Sequence, residues 1–217
     1  MNKKTPINKI YLAFYQSKRH RLYYNQLKEH TGLSDSSVQN ALKKLKETRE
    51  IKQIKEKSNT YYQLKNKDMI RTTFTIFDYE KLESLDIDIK TPLKQFVSLK
   101  PKEDAFVIFF GSASRDMYKK NSDIDLLVIL NSFENKRLKE LYEKETKNSF
   151  EKLKEKINAS SIYPINIIYA DIDKYKKNND RVVTEAKNTG FCIDGNLLYH
   201  DVMFDELQDK RMDWQPR

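Results

Sequence analysis

Apolar residues recur at helical spacing from the start of the chain. Ile7, Ile10, Tyr11 and Phe14 fall on one face and predict a helix from about Thr5, closed by the basic run Lys18-Arg19-His20-Arg21. Residues 24–30 predict a short second helix that turns Leu27 inward and stops at Thr31-Gly32, glycine being the residue that most readily ends a helix in a left-handed conformation. Ser34 or Asp35 can cap a third helix. Its Val38, Ala41, Leu42 and Leu45 recur at i, i+3, i+4, i+7, which leaves Ser37, Gln39, Asn40, Lys43, Lys44 and Lys46 facing outward. Residues 51–55 and 60–64 then read as strands around a Lys57-Ser58-Asn59 turn. The stretch 67–100 has no Gly- or Ser-rich tract and carries Phe74, Ile76, Phe77, Leu82, Leu85, Leu93, Phe96, Val97 and Leu99, so it predicts a packed connection. Helices are expected there over 77–85 and 91–99, the latter with Pro92 in its first turn, where a missing N–H costs nothing.

Beyond residue 100 the pattern changes. A continuous apolar run, 105–110, predicts a buried strand and breaks at once into Gly111-Ser112-Ala113-Ser114-Arg115. After a polar stretch, Asp123-Ile124-Asp125 opens a second apolar run, and alternation along a strand puts both carboxylates on one face. A Glu/Lys-rich segment over 131–157 predicts a helix with Leu138, Leu141, Tyr142, Phe150, Leu153 and Ile157 on its packed face. Residues 162–169 predict a later strand and 181–188 a helix ended by Gly190. A hairpin is expected to pair 191–193 with 197–199 around Asp194-Gly195, and the tail from residue 205 is expected to be only partly ordered.

Composition sharpens this division. Of the 217 residues, 38% are hydrophobic and 12% aromatic, enough for real cores, and no apolar stretch approaches a membrane span. The N-terminus lacks an apolar signal core, so a soluble, cytoplasmic protein is expected. A lone Cys192 in an apolar run reads as a small buried hydrophobe, and His20, His30 and His200 show no metal-ligand spacing and read as surface or partly packed residues. Charge is segregated: residues 1–66 hold fifteen Lys or Arg against five Asp or Glu, a net of +10, whereas the remainder is close to neutral. A basic module facing a polyanion and a second module that needs carboxylates fit this asymmetry.

The order helix, helix, turn, helix, hairpin over residues 5–66 resembles a winged helix-turn-helix domain. That resemblance implies that Gln39, Asn40, Lys43 and Lys44 face duplex DNA and that Lys52, Lys55 and Lys57 of the wing touch its backbone. Asn and Gln can pair with adenine, while lysines neutralise phosphate. Winged helices also serve as protein docking modules, and a basic helix face can be plain solvated surface. Tyr61 and Tyr62 could stack on bases, but neighbouring strand residues point to opposite faces, so at least one belongs to the core.

In the second half, GSASRDMYKKNSDIDLLVIL places ten residues between Ser112 and Asp123. Together with the flanking strands this resembles the DNA polymerase β-like nucleotidyltransferase superfamily, in particular its minimal nucleotidyltransferase branch, over roughly residues 95–200. The chemistry suits the pattern. A nucleoside triphosphate can be approached only when its charge is neutralised, and two carboxylates one residue apart can hold a hard cation such as Mg2+ or Mn2+ beside the phosphates. Gly111 lets backbone N–H groups reach the phosphates, the Ser112 hydroxyl adds a donor, and Arg115 adds a planar cation. The resemblance implies catalytic Asp123 and Asp125, nucleotide-binding Gly111, Ser112 and Arg115, an NTP substrate with ATP favoured, and a protein or RNA hydroxyl as acceptor, as in toxin-antitoxin and defence systems.

The expected fold is α+β. A winged helix-turn-helix at 1–66 is followed by a packed helical connector at 67–100 and a polymerase β-like domain at 101–217, a mixed sheet with flanking helices; a homodimer is left open. Two departures stand out. Ser114 and Asp116 replace the usual Ala and Gly of the GSxARG pattern. Asn166 stands where many active members carry a third carboxylate; it can ligate a metal through its carbonyl oxygen but cannot act as a general base. Asp171 and Asp173, just beyond, read more readily as helix caps. A DNA-binding regulator whose nucleotide domain has lost catalysis is therefore the alternative reading.

Overall fold

The structure, a computed structural model, describes residues 4–19, 21–56, 59–101, 104–115, 117–119, 122–131, 136–177 and 179–209. His20, Lys57, Ser58, Asp116 and the tail 210–217 lie outside the described residues. The chain divides into two units, one made of residues up to Phe77 with those from His200 onward, the other of Asp78–Tyr199. The stretch 67–100 contributes to both: α4 (Lys67–Ser84) passes from the first into the second, and α5 (Ile87–Leu99) belongs to the second.

In the first unit, α1 (Pro6–Ser17) starts where Thr5 Oγ1 accepts the Asn8 N–H at 3.2 Å and Pro6 occupies the first turn. Such a cap contributes about 1 kcal/mol. A three-residue strand β1 (Arg21–Tyr23) follows, which the hydrophobic pattern missed because three residues carry no readable period and Arg21 looked like the basic end of α1. Helices α2 (Tyr24–Thr31) and α3 (Asp35–Glu47) come next, the latter capped by Ser34, and then β2 (Ile51–Glu56) and β3 (Asn59–Leu64). The sheet has the order β1-β3-β2, both pairings antiparallel. Ile10, Phe14, Leu22, Leu27, Val38, Leu42, Leu45, Ile51 and Leu64 fill the core, and Tyr11 donates a hydrogen bond to Glu50 Oε2 at 2.6 Å. His200 is not a surface residue: it is buried, with its ring edge-on to Phe74 at 5.6 Å.

The second unit is built on a four-stranded mixed sheet of order β6-β5-β4-β7. β4 (Asp104–Phe110) runs antiparallel to β5 (Ile124–Leu130) and to β7 (Phe191–Asp194), while β6 (Ile165–Asp171) is parallel to β5. The two central strands read as unbroken apolar runs because both their faces are covered. Phe96 of α5 and Phe150, Leu153 and Ile157 of α6 (Lys136–Asn158) pack with Phe109, Leu126 and Val128. Phe106, which alternation sends to the opposite face, meets Tyr175 of α7 (Ile172–Lys177) and Tyr199 of α9 (Asn196–Asp209) edge-on. Buried Lys100 bridges Asp104 at 2.5 Å and Asp194 at 2.7 Å, tying the start of β4 to the end of β7. The mixed α and β architecture is consistent with a nucleotidyltransferase fold.

Several local expectations need correction. Asp86 caps α5 by accepting the Asp88 N–H at 2.9 Å, so the helix starts at Ile87 and Pro92 lies inside it rather than in the first turn. Residues 197–199 are not a strand: the chain leaves β7 through Gly195 and enters α9 directly, with the Tyr199 N–H bonded to Gly195 O at 3.0 Å. That helix runs to Asp209, so the tail from 205 begins as ordered helix. β6 starts at Ile165 instead of 162, just past Pro164, which has no N–H for the ladder. Leu141 turns to solvent rather than onto the packed face of α6, as do Ile76 and Leu99 in the connecting stretch, and the Leu138 side chain lies outside the described residues.

Candidate functional site

The apolar run of β4 must end somewhere, and it ends at Gly111, whose φ of +81° falls in the left-handed region. Phe110 lies opposite Asp125 in the antiparallel register, so the turn is folded directly over the start of β5. A Cβ at Gly111 would stand 2.5 Å from Asp125 Oδ2, which only glycine avoids. A short 3-10 turn, Ala113–Arg115, follows, in which the Arg115 and Met117 N–H groups both bond to Ser112 O, at 3.2 and 3.0 Å.

Ser114 explains one departure from the usual motif. Its buried hydroxyl bonds to Gly111 O at 2.9 Å and to Thr189 O at 3.4 Å, fastening the turn to the last residue of α8 (Arg181–Thr189). The Arg115 Nε donates to the same Gly111 carbonyl at 3.3 Å, and its side chain is otherwise exposed.

Asp123 precedes β5 and is exposed; Asp125 is the second residue of the strand and partly buried. Parallel pairing sets Asn166 beside Asp125, and the Asn166 Nδ2 donates to Asp125 Oδ1 at 3.0 Å. Burial pushes the Asp125 carboxyl above the usual carboxylate range. The Asn166 hydrogen bond pulls the other way, while the charges of Asp123 and Glu185 push further up. Asp125 therefore sits in a negative field that a cation would relieve.

Two carboxylates and an amide oxygen are hard donors, suited to Mg2+ or Mn2+. Among the described residues no three acidic, histidine or cysteine side chains converge on one metal position, so the fit rests on Asp123 and Asp125 with neutral Asn166 as a third oxygen donor. Asp171 does not compensate. It accepts the Lys174 N–H at 2.8 Å as the cap of α7 and pairs with Lys139 at 2.8 Å, which together hold its carboxyl below the ordinary range despite its partial burial. Cys192 is fully buried, donates to Asp194 O, and has its thiol pushed up by that burial, in keeping with a packing role.

Sequence reasoning missed the wall facing Arg115. An open cleft of about 590 Å³ lies between Arg115 and the face of α8 formed by Arg181, Thr184, Glu185 and Asn188. Arg181, Glu185 and Asn188 recur at i, i+4 and i+7, while Val183 and Ala186 are buried on the opposite side. Read by itself, that stripe is indistinguishable from an ordinary solvated helix face. Gly190 shows why it is not remote: a Cβ there would meet Ile108 Cγ2 at 2.6 Å and Phe109 O at 2.9 Å, so the end of α8 lies hard against β4.

On the first unit, Gln39, Asn40, Lys43 and Lys44 are all exposed on α3, and Lys52 and Lys55 are exposed on β2, an edge strand; Lys57 lies outside the described residues. Gln39 also reaches the Tyr24 hydroxyl, and Lys46 holds Gln53 of β2 at 3.0 Å. Tyr62 is buried, whereas Tyr61 is half-buried with its ring against Tyr23 and the two hydroxyls hydrogen-bonded. No helix among the described residues is long and apolar enough to cross a membrane.

With this geometry in place, residues 89–187 match the family model of a nucleotidyltransferase domain. The match supports the nucleotidyltransferase superfamily for that stretch, whose domains in general transfer a nucleoside monophosphate from an NTP and use divalent metal ions. It spans the Gly111 turn, Asp123, Asp125, Asn166 and Glu185 and leaves out the first unit. No curated protein matches the chain.

Proposed function

We propose that the second unit is a Mg2+- or Mn2+-dependent nucleotidyltransferase that moves a nucleoside monophosphate from an NTP, with ATP favoured, to a hydroxyl of a protein or RNA acceptor. The first unit is then a winged helix-turn-helix that binds duplex DNA through Gln39, Asn40, Lys43, Lys44 and the β2–β3 wing. A toxin-antitoxin or defence setting in the cytoplasm suits this combination.

The observation that carries the reading is the fold of Gly111 over Asp125, which brings a backbone turn able to cradle phosphates and two carboxylates to the same end of one sheet. Asp123 and Asp125 would hold the cation, which when bound neutralises phosphate charge and polarises the reacting phosphorus. Ser112 and the turn N–H groups other than those of Arg115 and Met117 would hold the phosphate oxygens, and Arg115 opposes their remaining charge. Catalysis of this kind rests mainly on position and electrostatics, so it does not demand a third carboxylate on β6.

Incubation with Mg2+ and each α-labelled NTP, with total RNA and cell lysate as acceptors, tests the proposal. Label should move to an acceptor, and Asp123→Ala with Asp125→Ala should lower the rate by at least about a thousandfold. Transfer that survives the double change would refute the assignment. One observation favours the alternative, a regulator with a degenerate nucleotide domain: the hydrogen bond that puts an amide, not an acid, against Asp125. Under that reading the protein binds NTP and DNA, and no acceptor is labelled.

A further inference from the structure

The proposed reaction lacks one component. Removing the proton of an attacking hydroxyl needs a base, Asn166 cannot accept it, and Asp123 and Asp125 are committed to the cation. Asp171, the next acid along the chain, is occupied as a helix cap and ion-pair partner.

We propose that Glu185, on the α8 wall of the cleft opposite Arg115, is the catalytic base that takes the acceptor proton, and that this cleft is where the acceptor hydroxyl enters. The inference rests on the transferase reading above and specifies how that site completes itself.

Its place in the fold carries the assignment. Glu185 lies on the one stripe of α8 that faces the cleft, between Arg181 one turn before it and Asn188 one turn after. The helix is fixed to the nucleotide turn at its C-terminal end, by the Ser114 bond to Thr189 O and by the contact of Gly190 with β4, so the position of Glu185 relative to Gly111 is set by the fold. At its other end the Asp180 side chain accepts the Val182 and Val183 N–H groups at 2.8 and 3.2 Å, which fixes the first turn as well. A carboxylate on a solvated helix face is ordinarily inert. This one borders an open cleft of about 590 Å³ shared with Arg115. Glu185 also lies near enough for its charge to act on Asp125. Since no three acids among the described residues converge on one metal position, Glu185 is placed as a separate carboxylate and not as a third ligand.

The step balances without a further reactant. A Glu185 carboxylate oxygen takes the acceptor proton, and the acceptor oxygen bonds to the α-phosphorus. The bond from that phosphorus to the bridging oxygen of the β-phosphate breaks, and pyrophosphate leaves.

Glu185→Gln keeps the shape and removes the base. With α-labelled ATP and Mg2+, and with total RNA and the protein's own hydroxyls as acceptors, the rate at saturating ATP should fall by about 10²–10⁴-fold, the usual span of general-base catalysis. The melting temperature should stay unchanged, and the KM for ATP should move far less than the rate. Glu185→Asp should recover part of the rate. If Glu185→Gln transfers at the wild-type rate while the double change at Asp123 and Asp125 abolishes transfer, the base assignment falls and the transferase reading stands. If the unaltered protein binds the ATP analogue but labels nothing, the transferase reading falls and takes this assignment with it.

Discussion

In the first unit the polar groups assigned to recognition, Gln39, Asn40, Lys43, Lys44, Lys52 and Lys55, all stand in water on α3 and β2. In the second, Asp125 is drawn partly out of water at the mouth of the sheet, and Lys100 is buried between two carboxylates. The difference follows from the chemistry each would serve. A DNA backbone is a large, solvated polyanion that an exposed face can meet, whereas a reacting phosphate must be gripped where water is scarce and fields are strong. Exposed charge adds function at little cost to stability, and buried charge alters both.

Substitutions in both units test this contrast. The largest effect is expected at Lys100. Lys100→Ala leaves Asp104, almost wholly buried, without its cation, which typically costs about 3–5 kcal/mol and should show as a lower urea midpoint.

Asp125→Asn should act in the opposite direction and more weakly. Its carboxyl is raised in the folded state, mainly by burial, above the ordinary value of 3.8, so in the window that opens as pH climbs past that value the native protein binds more protons than the unfolded chain. Stability falls as pH rises through that window, and above it the ionised group is a net cost. Asp125→Asn should therefore stabilise the fold at neutral pH by less than about 1 kcal/mol, given the solvent that still reaches this group, which shows as a higher melting temperature, and the two curves should converge in acid. A fall at neutral pH would break the contrast.

Lys43→Ala with Lys44→Ala should have the smallest effect on folding, within about 0.5 kcal/mol. Duplex binding should weaken uniformly across sequences, with the slope of log affinity against log salt reduced by about 1–2. An unchanged slope would take α3 out of the interface.

What could be read from the sequence follows the same division. The helices of the first unit and the two central strands of the second were legible because their periods run for many residues: Val38, Ala41, Leu42 and Leu45 on α3, and the unbroken runs that form β4 and β5. β1 was not, since Arg21–Tyr23 is too short to show a period. Residues 197–199 are apolar enough for either a strand or a helix, and the left-handed Gly195 that leads straight into α9 decided between them. At the site, Gly111, Ser112, Asp123 and Asp125 could be nominated because they are close in sequence. The tie from Ser114 to Thr189 and the place of Glu185 span far larger separations and depend on how α8 packs on β4, which no local pattern encodes.

The central claim is a shared position for cation and phosphate beneath the Gly111 turn. A crystal grown with Mn2+ and a non-hydrolysable ATP analogue tests it through the anomalous signal of the metal. The expected map shows manganese between the Asp123 and Asp125 carboxylates, with phosphate oxygens against the Ser112 backbone. Manganese and nucleotide bound elsewhere, with those two carboxylates free of both, would contradict it.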